Sequence, residues 1–152
     1  MTLKTKDIEI LKALQKNADI SNSALSKIVK LSPPACLARV RNLKERGLIR
    51  SIIALLNADQ LGFSLTVLVY VKLDNQTRNT QSYLEGAVKI NPKVQECFRM
   101  TGEHDYILRL LLKNTQELEF FLTNELSRIP NVASIRTEVA MQCVKQSNSI
   151  PF

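Results

Sequence analysis

The stretch "SPPACLARVRNLKERGLI" at 32–49 sets Arg39, Arg41, Lys44 and Arg46 against one acid, Glu45. Arg and Asn side chains can pair with base edges through two hydrogen bonds, and Arg or Lys can neutralise backbone phosphates. On a helical wheel Ala35, Ala38, Arg39, Asn42 and Arg46 point one way, while Cys36, Leu37, Val40 and Leu43 form a stripe to bury. Small residues early in such a helix permit close approach to a surface, and donors follow farther along. Ser32 and Pro34 stand at its entrance, and Lys27, Lys30, Arg41, Lys44 and Arg50 are placed to meet phosphates. The chemistry this pattern suits is the reading of double-stranded DNA by a slim helix flanked by cations. The plainer alternative is a three-helix bundle with a solvated basic face. On the first reading, Arg39→Ala removes sequence-specific binding, whereas Lys44→Ala weakens binding to every DNA alike.

Such a helix has to be started, stopped and held. Ser32 can cap it, Pro33 suits a first position that needs no N–H, and Gly47 suits the left-handed residue that ends a helix. Two helical patterns precede it. The first runs from about Lys6 to Lys16, with Ile8, Leu11 and Leu14 at helical spacing and Ile10 beside them. The second starts behind Ser21, a good N-cap, and buries Leu25, Ile28 and Val29. Two short helices, a tight turn and a basic last helix make a helix-turn-helix over 1–50. "LIRSIIALL" at 48–56 reads as a β segment, a wing, and 51–64 serves as β segment and linker, with "NADQLGFS" as the polar break.

After the break the period changes from helix to strand. Leu65, Val67, Val69, Val71 and Leu73 fall on one side of a strand, and Thr66, Leu68, Tyr70 and Lys72 on the other. A helix follows, with Tyr83, Leu84, Ala87 and Val88 on one face. Residues 94–101 alternate again, "TGEHD" at 101–105 turns the chain, and "YILRLLL" at 106–112 is a third strand. Thr115 can cap a helix carrying Leu118, Phe121, Leu122, Leu126 and Ile129, and 132–143 forms a last strand. The order β-α-β-β-α-β over 65–152 is the ferredoxin-like arrangement, so the chain as a whole is α+β. Both helices then cover one sheet face. The other, with Leu68, Tyr70, Ile107 and Leu111, stays open and predicts dimerisation by sheet stacking.

Charge agrees with this division. The chain of 152 residues carries +7, of which +6 falls in residues 1–60 and +1 in the remainder. A basic domain attracts polyanions because neutralised phosphates release counterions. The three cysteines, Cys36, Cys97 and Cys143, are far apart in sequence and form no CxxC pair, which reads as reduced thiols. Cys36 falls on the stripe to be buried, which favours core packing over a redox role. No Ser/His/Asp set, metal cluster or phosphate loop is present, and the only histidine, His104, sits within a turn. The opening "MTLKTKDIEI" does not resemble a secretory leader, and the apolar runs are far too short to span a bilayer, so a cytoplasmic protein is expected.

These parts, in this order, resemble the leucine-responsive/asparagine-regulator (Lrp/AsnC) family of bacterial and archaeal transcription factors, over nearly the whole length. "DIEILKALQKNADIS" is similar to the family's opening helix. "LSPPACLARVRNLKERGLI" resembles its recognition helix, with Leu31, Ser32, Arg39, Leu43, Gly47 and Ile49 in place, and "TGEHDYIL" its T-G-x-x-D-Y turn. Ser26 departs from a small apolar residue, Lys4 from a frequent acid and Asp19 from a frequent base. The resemblance implies a transcriptional regulator without a cofactor that senses an amino acid or related metabolite. It further implies homodimers formed through the C-terminal sheet, assembling to tetramers or octamers, with the effector at interfaces between C-terminal domains. Carried over residue by residue, the effector site is Met100, Thr101, Gly102, Asp105 and Tyr106, with Thr137 contributing; Glu103 and His104 fill the variable positions. The turn has a matching chemistry: Gly102 permits close backbone approach, turn N–H groups can hold a carboxylate, and Asp105 can face an ammonium. Its plain reading is that Gly and Asp simply satisfy a β-turn. Two other readings stand beside the regulator: a nucleoid-associated architectural protein without effector response, and a tetrapyrrole decarboxylase of the same architecture. The second leaves the cationic helix without a purpose.

Overall fold

Three helices, α1 (Thr5–Lys16), α2 (Asn22–Ile28) and α3 (Pro33–Glu45), open the chain in the computed structural model, which describes residues 3–152. Ile10, Leu11, Leu25, Val29, Cys36 and Leu43 are buried together between them. Ile28 and Leu37, expected inside, are instead 60% and 58% exposed. Leu25 and Val29, four apart, already fill the inner face of the two-turn α2, and Ser26 is buried beside them with its hydroxyl donating to the Ser23 carbonyl at 2.8 Å. In α3 the inner stripe is Cys36, Val40 and Leu43. Leu37, about 100° around the helix from Cys36, faces out.

Both α2 and α3 close with paired reverse hydrogen bonds. Leu31 N–H reaches the Ser26 carbonyl and Lys30 N–H the Lys27 carbonyl, with Lys30 at φ 54°. After α3, Leu48 N–H reaches Leu43 and Gly47 N–H reaches Lys44, with Gly47 at φ 70°. This is the Schellman turn, in which the residue after the left-handed one packs inward, as Leu31 and Leu48 do here. Residues 48–56, expected as a β segment, pair with no strand within the single chain, and Ile52, Ile53, Leu55 and Leu56 are exposed. The three helices offer that segment no strand to pair with, and a lone strand gains no ladder bonds. The chain falls into two units: one takes the residues up to Leu55 together with Lys145–Phe152, the other Leu56–Val144. The tail joins the helical unit where Ile150 N–H donates to Gln15 Oε1 at 2.6 Å.

The second unit holds β1 (Leu65–Leu73), α4 (Arg78–Ile90), β2 (Val94–Arg99), β3 (Tyr106–Leu112), α5 (Thr115–Phe120), a π-helical segment (Phe121–Leu126) and β4 (Val132–Val139). All strand pairs are antiparallel, in the order β2-β3-β1-β4. Val67, Val69, Val71, Tyr106, Leu108 and Leu110 face the helices and are fully buried. Their alternates, Leu68, Tyr70, Ile107 and Leu111, share the opposite face, as the registers Tyr70↔Ile107 and Thr66↔Leu111 require. Phe98, opposite Ile107, joins them. Three local expectations change. Tyr83 is 62% exposed, because Thr80, Leu84 and Val88 at fourfold spacing take the inner line of α4. Asn114, not Thr115, caps α5, its side chain accepting from Glu117 N–H at 2.9 Å. The last strand stops at Val139, where its pairing with β1 ends at Val67.

Candidate nucleic-acid interface and effector turn

The entrance of α3 is built as expected. Ser32 Oγ accepts from Ala35 N–H at 3.4 Å, Pro33 and Pro34 occupy the first helical positions, and Asn22 Nδ2 donates to the Pro33 carbonyl at 2.9 Å, tying the start of α2 to that of α3. Ser32, Pro34, Ala35, Leu37, Ala38, Arg41, Asn42 and Lys44 are all exposed. Lys27, Lys30 and Arg50 are exposed as well, so the phosphate candidates lie at the surface of the helical unit. Arg41 is held along the helix by Glu45 at 3.1 Å, an exposed pair worth only a few tenths of a kcal/mol and easily exchanged for a phosphate.

Arg39 and Arg46 do not point outward with them. Arg39 Nη1 donates to Asp7 Oδ1 at 2.9 Å, and Arg46 Nη1 stands 3.9 Å from Asp7 Oδ2. Asp7 lies in the first turn of α1 and is buried, so one carboxylate fastens α1 to two turns of α3. This corrects the orientation expected of both arginines: their guanidinium groups are used within the fold. The signal was present in sequence. Asp7 precedes Ile10, Leu11 and Leu14 at helical spacing, and an acid on a buried face requires a cation opposite. Leu37 is what the wheel missed. It offers an exposed apolar tip between Pro34 and Arg41, suited to contact with a thymine methyl.

The residues assigned to the effector turn are spread rather than gathered. Met100, Thr101 and Gly102 are exposed, with Gly102 at φ 133°. Asp105 is turned into the chain: its Oδ2 accepts from Leu73 N–H at 2.7 Å and its Oδ1 from Gln76 Nε2 at 2.6 Å. Its backbone N–H donates to Val71 and its carbonyl accepts from Met100 N–H, so Asp105 pins the turn to the end of β1. Tyr106 is buried on the helix side, where its hydroxyl donates to Glu85 Oε1 at 2.7 Å and Arg99 pairs with the same oxygen. Burial and that bond push the Tyr106 phenol up to about 12, while the hydrogen bonds from Tyr106 and Arg99 hold Glu85 below the usual carboxylate range. Thr137 lies opposite Val69 on the edge strand β4, two strands over from Tyr106. His104 packs against the Tyr70 ring, centroids 5.4 Å apart, and Arg136 lies over the same ring. Among the described residues no three His, Cys, Asp or Glu side chains stand together as a metal site needs. No helix among them is long and apolar enough to cross a membrane.

Comparison with known proteins agrees with this division of labour. Residues 3–50 match a model described as winged helix-turn-helix DNA-binding, and residues 66–150 match one described as Lrp/AsnC ligand binding domain. Transcriptional regulator AzlB of Bacillus subtilis is 38% identical over 147 residues, covering 96% of this chain and 93% of the relative. The leucine-responsive regulatory protein of Escherichia coli strain K12 is 40% identical over 144 residues, covering 95% and 88%. Among solved structures, a transcriptional regulator of Neisseria meningitidis in complex with L-Met superposes with a TM-score of 0.93 at 29% identity, over 99% of this chain and 97% of that one.

Proposed function

The chain belongs to the Lrp/AsnC family of DNA-binding transcriptional regulators, and we propose that the outward end of α3 is its reading surface and an amino acid its effector. Pro34, Ala35, Leu37, Ala38 and Asn42 meet base edges in the major groove. Ser32, Lys27, Lys30, Arg41, Lys44 and Arg50 hold phosphates, and Arg39 and Arg46 act through Asp7 by fixing the angle of α3 on α1. The exposed, capped and cation-flanked entrance of α3 carries this reading.

The effector, an amino acid as in the L-Met complex of the Neisseria relative, is received at Thr101 and Gly102 with Met100 beside them. Met100, Thr101 and Gly102 are exposed in one chain, which favours a site completed by a second C-terminal domain. Asp105 supports that site by bracing the turn, and Tyr106 by anchoring its far end. Homodimers form through the open sheet face, where Leu68, Tyr70, Ile107 and Leu111 make an apolar patch. Arg109–Glu96 and Arg136–Glu138 pairs lie on the same face, and dimers assemble further to tetramers or octamers. The protein works in the cytoplasm without a cofactor.

The deciding experiment is fluorescence anisotropy on DNA from upstream of its own gene, against scrambled DNA, with and without each amino acid. Specific binding that one amino acid shifts by about fivefold or more is expected, the usual range of coupling between two sites. Specific binding that no amino acid moves refutes the effector assignment. Equal binding to both DNAs favours an architectural role, and no binding refutes the reading surface.

A further inference from the structure

At the opposite end of β2 from the 101–105 turn, a cleft of about 470 Å³ opens between the C-terminal end of α4 and the π-helical segment. Val88, Phe121, Leu126 and Ile129 line it, and each is buried. At its mouth stand one cation and one anion, Lys93 and Glu125, joined as an ion pair, with Asn91 Nδ2 donating to the second Glu125 oxygen at 2.5 Å. A concave apolar wall with a few convergent polar groups is the usual form of a small-molecule site, and 470 Å³ lies within the usual size range.

The chain goes out of its way to make this arrangement. Leu118, Leu122 and Ile129 mark an α-helical stripe, and Glu125 is the position that continues it. In an unbroken α-helix Glu125 would point into the core, and Phe121 and Leu126 would diverge by roughly 140°. The π turn, closed where Ser127 N–H donates to the Leu122 carbonyl at 3.0 Å, buries Phe121 and Leu126 together and sets Glu125 at the rim. A π turn of this kind is rare and is frequently found at functional sites.

We propose that this cleft binds a free apolar α-amino acid. The ammonium sits on Glu125, the carboxylate on Lys93 with Asn91 Nδ2, and the side chain lies along Val88, Phe121, Leu126 and Ile129. The ligand opens the Lys93–Glu125 pair and gives each partner a replacement of the same sign. Charge complementarity selects the zwitterion. A keto acid would set its ketone oxygen, which has no proton to donate, against Glu125, and an amine alone would leave Lys93 without an anion. The site is complete in one chain and does not rest on the turn at 101–105.

Titration calorimetry on the full chain tests this, with L-leucine, L-methionine, the keto acid of leucine and 3-methylbutylamine as probes. The amino acids are expected to bind, and the keto acid and amine at least about tenfold more weakly. Glu125→Gln and Lys93→Met each lower amino-acid affinity by about tenfold or more, Glu125→Asp restores part of it, and circular dichroism shows each variant folded. Ile90→Trp, at an exposed rim position, blocks entry without touching the core. If Glu125→Gln does not fold, hydrogen exchange on the unaltered protein decides: added L-leucine must slow the amides of 121–129. Heat that survives Glu125→Gln but is abolished by Gly102→Val assigns binding to the turn and overturns the cleft, leaving amino-acid sensing in place. Equal binding of the keto acid, no slowing of 121–129, or no heat with any amino acid overturns it as well.

Discussion

Asp7→Asn, Arg39→Gln and their combination isolate the link between α1 and α3. The Asp7 side chain is 7% exposed and holds Arg39 through one charge-assisted hydrogen bond of 2.9 Å. Breaking a buried ion pair costs about 3–5 kcal/mol, but the Arg39 side chain is 35% exposed, so water takes up part of its lost bond. A charge-assisted hydrogen bond is worth about 1.5–3 kcal/mol, and Asn keeps one acceptor in place, so Asp7→Asn should cost about 2 kcal/mol. Arg46, at 3.9 Å, adds attraction without a hydrogen bond. Because the chain has two units, the readout is hydrogen exchange of the buried α3 amides rather than one global melt. An opening free energy lowered by 2 kcal/mol appears as exchange about 30-fold faster. The double variant should show a coupling of about 1.5 kcal/mol between the two sites, and both single variants should weaken operator and scrambled DNA by the same factor. Additivity within about 0.4 kcal/mol refutes the link. Loss of operator binding alone, with α3 exchange unchanged, returns Arg39 to the DNA interface.

Lys30 holds φ 54°, a region that costs a side chain about 1 kcal/mol. Lys30→Gly should therefore raise the stability of the helical unit by up to about 1 kcal/mol while flattening the salt dependence of DNA binding by about one unit of slope. Leu37→Ala should leave stability nearly unchanged and relax base preference at one operator position, as measured by anisotropy across single-base variants. Tyr106 ionises near 10 when unfolded and is pushed up to about 12 by burial and its bond to Glu85. Its contribution is complete below pH 10 and is lost as pH rises to 12, roughly 2–3 kcal/mol in all; melting curves of the wild type, but not of Tyr106→Phe, should carry that decline. On the proposed sheet-to-sheet dimer, Tyr70→Glu on the open sheet face should yield monomers in sedimentation without altering the sheet.

Regular elements were plain in the sequence because period and burial coincide there. Val67, Val69 and Val71 alternate in letters as they alternate in space, and the β-α-β-β-α-β order follows from such runs. Where a helix is narrow the wheel misplaces edge residues: Ile28, Leu37 and Tyr83 each stand about 100° from a better buried neighbour. A strand needs a partner as well as a pattern, so "LIRSIIALL" has the letters of a wing and no ladder. The direction of the long arginines was set by Asp7, thirty-two positions away from Arg39, and no local pattern carries that pairing. The T-G-x-x-D-Y turn was legible as a motif, yet the use of Asp105 by Leu73 and Gln76 depends on how the end of β1 meets it.

Counted as chain length, the π-helical segment holds one residue more than an α-helix would need to span it. Remove one residue between Leu122 and Glu125, and Leu126 takes the place on the Leu118–Leu122 stripe that Glu125 holds by spacing, giving one regular helix that is easier to form. A chain that keeps the extra residue accepts a less stable helix where a shorter one would serve packing better. The trace it leaves in letters is Glu125 on the line of Leu118, Leu122 and Ile129, where an apolar residue would be expected.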